Sequence, residues 1–270
     1  MGLSSFDSVR TFKIAFPSKM ITFKNLAYLL LLIVSAKLSC LAQVASKQSW
    51  NDFVVNYSFA NSFNFENLLT YNTKIDAPRW YEFNYGPALQ LSLTQHFDIS
   101  TRMTISYVQQ NDTANTLELR PALSSAYYIT PNKRIQSFLF LSIEQRNFHN
   151  LEVKNWETSV RLRVKGAIII PINRSSYYDD KQWYAMLDTE WFWPMGKDVG
   201  ERYANRLRIR AGIGYRLNYR WRFEMIYLQQ RSKNNIGEDF YTSDHILQLR
   251  IKHFIARIKP KQQEQTPTSP

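Results

Sequence analysis

Cysteine occurs once in 270 residues, at Cys40, and glycine only eight times. One thiol cannot build a disulfide framework, nor the paired-cysteine spacings of structural zinc sites. Long apolar runs are also scarce: only Leu26–Ala36 qualifies, and eleven residues are too short to cross a bilayer as a helix. With a mean hydropathy of −0.38, the chain is not a helical membrane protein. Acidic residues are in the minority, 22 against 34 Lys and Arg, leaving a formal charge of +12. Aromatic residues, by contrast, make up 15% of the chain, which excludes a chain disordered overall.

The single apolar run reads as an export signal. Lys24 precedes it, and Ser39-Cys40-Leu41-Ala42 follows with small residues suited to cleavage after Ala42. Met20 then serves as a start, residues 1–19 are an upstream extension, and 20–42 are the signal peptide. A lipoprotein reading of Cys40 calls for an apolar residue three positions earlier, where Lys37 stands. Cleavage removes five basic residues and one acidic one, so the remaining chain carries 12 − 5 + 1 = +8. The barrel is expected over 43–256, with a Gln- and Pro-rich disordered tail over 257–270.

Beyond the signal the chain alternates with period two. In 206–217, Leu207, Ile209, Ala211, Ile213, Tyr215 and Leu217 interleave with Arg206, Arg208, Arg210, Gly212, Gly214 and Arg216. A strand sends these sets to opposite faces, whereas a helix would scatter the arginines around its circumference. Asn218-Tyr219 then connects to a second alternating run containing Trp221, Phe223, Met225 and Tyr227, which predicts an antiparallel hairpin. Ile226 and Leu228 blur the end of that run, and Phe138 and Phe140 break the polar face of another.

The same reading places strands at 80–94, 97–110, 114–129, 134–148, 154–170, 182–194, 201–217, 220–232 and 242–256. One or two more lie within 50–76, as Trp50–Phe59 and Phe65–Ile75. These runs are far longer than the 5–6 residues usual in soluble proteins, and long enough to cross a bilayer at a tilt. Connections alternate between short and long, as in a membrane barrel, except that the long stretch 171–181 falls on the short-turn side.

Alternation alone fits a soluble exported sandwich or a lipocalin-like cup as well as a barrel in a membrane. Strand length and aromatic placement favour the latter. Trp80, Tyr107, Trp183, Trp191, Trp193, Tyr215, Tyr219, Trp221 and Tyr227 stand near strand ends, where amphipathic rings suit a lipid headgroup zone. The expected fold is therefore all-β: one antiparallel transmembrane barrel. Both chain ends on one side would require an even strand number, twelve or ten.

In a membrane barrel the charged face lines the interior. That face would hold Arg102, Arg120, Arg146, Arg161, Arg163, Lys165, Arg206, Arg208, Arg210, Arg216, Arg220, Arg222, Arg250 and Lys252. Glu82, Asp98, Glu118, Glu144, Asp188, Glu190 and Glu224 oppose them. Such groups must pair or meet water. Two functional expectations follow: a structural ion-pair lattice, or a small passive pore favouring anions.

An enzyme acting on membrane lipids, of lipase or deacylase type, is the alternative. Its only imidazoles would be His96, His149, His245 and His253. Ser243-Asp244-His245 has the residue types of a triad, but neighbours on one strand do not converge. Asp179, Asp180 and Glu201 lack the ligand spacing of a calcium loop. No catalytic residue, metal or cofactor is expected. The arginines form no basic stripe with exposed aromatic platforms, so nucleic acid is not an expected partner. Outer-membrane lipids and lipopolysaccharide, the barrel-assembly machinery and small anionic solutes are.

The run Asn205–Leu217, the strand ending Tyr227-Leu-Gln-Gln-Arg231, His245-Ile-Leu-Gln-Leu249 and the earlier Leu119–Tyr128 together resemble an uncharacterised family of bacterial outer-membrane β-barrels, domain of unknown function 2490. The resemblance covers roughly residues 50–255. It implies fold and location and carries no catalytic residues. Barrels of this type usually end on an aromatic residue, whereas sixteen residues follow Phe254 here.

Overall fold

The computed structural model describes residues 45–59, 62–76, 79–110, 115–131, 133–195, 206–232 and 240–255. The upstream extension, the signal segment and the C-terminal tail lie outside them, as does Glu201. Eleven strands follow one another: β1 (Ser46–Ser58), β2 (Phe63–Lys74), β3 (Tyr81–Ser92), β4 (Phe97–Gln109), β5 (Thr116–Tyr128), β6 (Gln136–Asn150), β7 (Trp156–Pro171), β8 (Gln182–Met195), β9 (Arg206–Arg216), β10 (Trp221–Ser232) and β11 (Tyr241–Phe254). Each pairs with its neighbours in sequence, and β1 pairs with β11, so a single sheet closes on itself. Closure leaves no edge strand to template aggregation. It also rules out a two-sheet sandwich.

The expected even strand number and wholly antiparallel ladder are corrected. Among the described residues there are eleven strands, because 50–76 supplies both of its candidate strands, and β1 runs parallel to β11. The parity argument assumed that both ends of the barrel chain lie at one mouth. Here Ser46 neighbours Asp244 at one mouth and Asn56 neighbours Phe254 at the other. An odd number of up-and-down strands necessarily closes in parallel.

Alternation decides which side chains face in. Leu139, Leu141 and Ile143 of β6 are about half exposed, while Ser142 and Glu144 on the opposite face are 2% exposed. The interior is not purely polar. Tyr184, Phe192, Ile226, Leu228 and Ile246 all point inward and are buried to 1% or less. Ile226 and Leu228 thus keep the register of β10 and, with Ile246 opposite Leu228, form an interior apolar cluster, while Tyr184 and Phe192 lie near the two ends of β8. A water-filled passage would leave such side chains accessible; at this level the barrel is packed.

The long connection between β7 and β8 occupies the mouth at the short-turn end. Tyr177 is 7% exposed, packs edge-on against Tyr184 at 5.0 Å and accepts a 2.6 Å hydrogen bond from Arg222 Nη1. Asp180 lies 3.8 Å from Arg216. The stretch that broke the short-turn rule is an inserted cap rather than an ordinary turn.

Gly214 is required by close approach: a Cβ there would overlap the ring and hydroxyl of Tyr184. Tyr184 cannot swing away freely, because its hydroxyl donates to Glu224 Oε1 at 2.8 Å. Gly214→Ala is expected to cost about 1–3 kcal/mol by overpacking. Urea unfolding of the purified barrel measures it, and adding Tyr184→Leu should recover most of the loss.

Candidate functional site

The interior charges are gathered by register. Glu144 on β6 pairs across from Arg161 on β7, Lys165 on β7 from Glu190 on β8, and Glu190 from Arg208 on β9. Long guanidinium arms then reach diagonally. Arg161 Nη2 lies 2.7 Å from Glu144 Oε2, and Arg163 Nη1 lies 2.8 Å from the other oxygen. Arg163 Nε reaches Glu190 at 2.5 Å. Glu190 also meets Arg210 at 2.6 Å and Arg208 at 3.8 Å, and Arg210 continues to Asp188 at 2.7 Å, beside Lys165. One connected network therefore spans β6 to β9, centred on a carboxylate with no solvent exposure.

Phe192 is the floor of this network. The guanidinium carbons of Arg161, Arg208 and Arg163 stand 4.7, 4.7 and 5.4 Å from its ring centre. Phe140 and Phe138 face in as well, below Arg163 and Lys165. Cation–ring attraction grows where water is excluded. Phe138 and Phe140, which read as interruptions in the sequence, are part of the charged interior.

Two further groups complete the set. Glu118 on β5 holds Arg120 at 2.6 Å and Arg146 at 2.8 Å. Around the β1–β11 seam, Arg250 bridges Asp52 at 2.8 Å and Glu224 at 3.3 Å, and Lys252 meets Glu224 at 2.9 Å. Gln248 donates to Asp52, while Gln48, Gln230 and Ser46 donate to Asp244. The parallel joint thus carries a polar lock of side chains in addition to its backbone ladder. Arg102 pairs with Glu66.

Asp52, Glu66 and Asp244 did not figure among the expected interior acids, and they narrow the expected cationic excess. The signal was weak because the inner face of β1 reads Gln48, Trp50, Asp52, Val54, mixing polar and apolar types. Arg220 leaves the interior set. β9 ends at Arg216 and β10 starts at Trp221, and Asn218 Oδ1 accepts from the backbone N–H of Arg220 and Trp221. That turn leaves Arg220 exposed, donating to Tyr219 Oη. Arg222 lies between the rings of Tyr177 and Phe254. Arg206 faces inward beside Phe192 in the ladder.

The outer face carries rings in two bands. Toward the long connections, Tyr71, Tyr81 and Tyr107 form a tilted row, Trp156 stacks on His149, and Trp191 contacts Trp193 and Phe240. At the other end, Trp183 packs on Tyr215, Trp221 on Phe223 and His253, and Tyr57 on Phe59. Leu69, Met103, Leu123, Leu187, Ile209, Met225 and Leu249 lie exposed between the bands. Tyr227 is half exposed and bonded to His245. Two expected members fall elsewhere. Trp80 sits at the rim, 5.2 Å from Lys74 Nζ, on the inward-facing side of the β2–β3 hairpin, and Tyr219 belongs to the β9–β10 turn.

The Ser243-Asp244-His245 types do not converge. Asp244 is held inside by Gln48 and Gln230, whereas His245 Nδ1 meets Tyr227 Oη at 2.6 Å on the outer wall. Among the described residues no group of three His, Cys, Asp or Glu side chains is arranged to hold a metal ion.

A family model described as "Protein of unknown function (DUF2490)" matches residues 47–241, from the start of β1 to the start of β11. No curated protein and no solved structure matches the chain. The match spans nine complete strands, β2 to β10, together with all but the first residue of β1, and the chain belongs to the DUF2490 family.

Proposed function

We propose that the protein is a bacterial outer-membrane β-barrel, exported by a cleaved signal peptide, whose interior is a fixed ion-pair lattice. One contrast carries the reading: Met225 on the outer wall is 53% exposed, while Glu190 inside has no exposure. In water this arrangement is inverted, because apolar side chains bury themselves and carboxylates remain solvated. In a bilayer it is the stable one, with the two aromatic bands at the headgroup levels. The reading assigns no catalytic residue. Co-fractionation with outer membranes, together with heat-dependent gel migration, tests the location; recovery of the native barrel in a soluble fraction would sink it.

The buried apolar side chains inside and the Tyr177 cap favour a barrel that does not conduct at rest. One observation favours the narrow anion pore instead: Arg163, Lys252, Lys165 and Arg250 keep 27, 24, 22 and 21% side-chain exposure inside. Planar-bilayer recording separates the two. The lattice reading expects no discrete steps, whereas steps with anion preference would establish the pore.

A further inference from the structure

On three adjacent strands the outward apolar run stops short of the long-connection end. It ends at Tyr227 on β10, Leu247 on β11 and Phe53 on β1. Beyond it stand Gln229 and Arg231, then His245 and Thr242, then Asn51, Ser49 and Lys47. Register makes this one patch: Lys47 neighbours His245, and His245 neighbours Gln229. Arg231 comes next on β10, beyond a register shift that sets it opposite Thr242.

The patch has an orderly hydrogen-bonding plan. Tyr227 Oη and His245 Nδ1 are 2.6 Å apart, which ties the imidazole to the neighbouring strand, and Gln229 Nε2 donates to Thr242 Oγ1 at 3.1 Å. The cations are left over. Arg231 Nε is buried from solvent without a hydrogen-bond acceptor, and among the described residues no carboxylate pairs with Arg231 or with the Lys47 ammonium. Asp76 accepts from the Lys47 backbone N–H at 3.1 Å, not from its ammonium. Just below lies an apolar floor of Tyr227 and Leu247, 50% and 46% exposed.

We propose that this patch is a binding site for the phosphate group of a lipid headgroup, with the acyl chains lying along the apolar floor. The inference rests on the membrane reading given above. A guanidinium and an ammonium on either side of a fixed imidazole present convergent donors to a tetrahedral anion. Long basic side chains place their charged ends at the headgroup level while their stems stay on apolar surface. The patch faces the side of the barrel wall, so a soluble solute would find half of the site in hydrocarbon.

The test uses the full chain refolded into phosphatidylcholine vesicles containing lipid A, with flotation read first. Failure of the wild type to float with vesicles removes the membrane reading and this site with it. If it floats, lipid retained after detergent extraction is counted by native mass spectrometry. Wild type should retain lipid A, and K47Q/R231Q should retain about tenfold less, given the attraction each basic residue adds near an anionic surface. Lys133→Gln, at the opposite mouth, should match wild type. Equal retention by the double variant, or displacement of lipid A by inorganic phosphate, would overturn the proposal. Equal retention of lipid A stripped of its phosphates would do so as well.

Discussion

Replacing Glu190 by Gln should be among the most damaging single changes available in this barrel. The carboxylate sits between Arg163 at 2.5 Å and Arg210 at 2.6 Å, with Arg208 at 3.8 Å, and has no contact with solvent. The amide keeps the shape and removes the charge. Arg163, Arg208 and Arg210 then crowd one another with one carboxylate fewer among them. Removing one partner of a buried pair costs about 3–5 kcal/mol; here Arg163 keeps Glu144 and Arg210 keeps Asp188, while Arg208 loses the carboxylate beside it. Equilibrium unfolding in urea, followed by heat-modifiable migration, reads the loss. The diagnostic is the rescue. Arg163→Met on the E190Q background removes the surplus cation, leaves Glu144 with Arg161, and places an apolar chain between Phe140 and Phe192. The double variant should recover more than half of the loss, since coupled neighbours do not add. Glu157→Gln, exposed near the start of β7, should change nothing measurable. If E190Q unfolds like wild type, the network is ornamental and the interior is wetter than its burial implies.

Met225→Arg asks about the other face. Met225 stands outward on β10 between Ile213 of β9 and Leu249 of β11, all within the apolar belt. An arginine at the midplane of a bilayer-embedded barrel costs about 2–4 kcal/mol, falling to about 0–1 near the interface. On a water-exposed wall the same change is worth about ±0.5 kcal/mol. Folding into lipid vesicles should therefore be strongly weakened by M225R and little affected by Gln109→Arg, at the end of β4. Equal, small effects at the two positions would contradict a membrane environment for this wall, whatever the fractionation shows.

Period-two alternation made most of the wall legible in the sequence. The hairpin from Arg206 to Ser232 was readable because arginine and aliphatic side chains separate cleanly, and the runs from residue 80 onward match β3 to β11 to within a few residues, with 201–205 lying outside the described residues. What alternation does not encode is how a sheet closes. Strand parity depends on where the two ends meet, and the weak pattern around Asp52 gave no means of aligning β1 with β11. Nor does alternation distinguish an aromatic that interrupts a polar face from one that serves it. Phe138, Phe140 and Phe192 are legible only once three-dimensional packing sets arginines over their rings. Tyr177 was hidden for a related reason: a connection that folds back into a mouth looks in sequence like any other loop.

The parallel joint has a consequence for re-engineering the chain. Proteins whose ends lie close together tolerate having them linked and a new break opened elsewhere. Here the start of β1 and the end of β11 lie at opposite mouths. A linker joining them must travel the full height of the wall, a path that takes the existing strands 11 to 16 residues. A circular permutant of this barrel must therefore be supplied with what amounts to a twelfth staves' length of chain, either outside the cylinder or inserted into it.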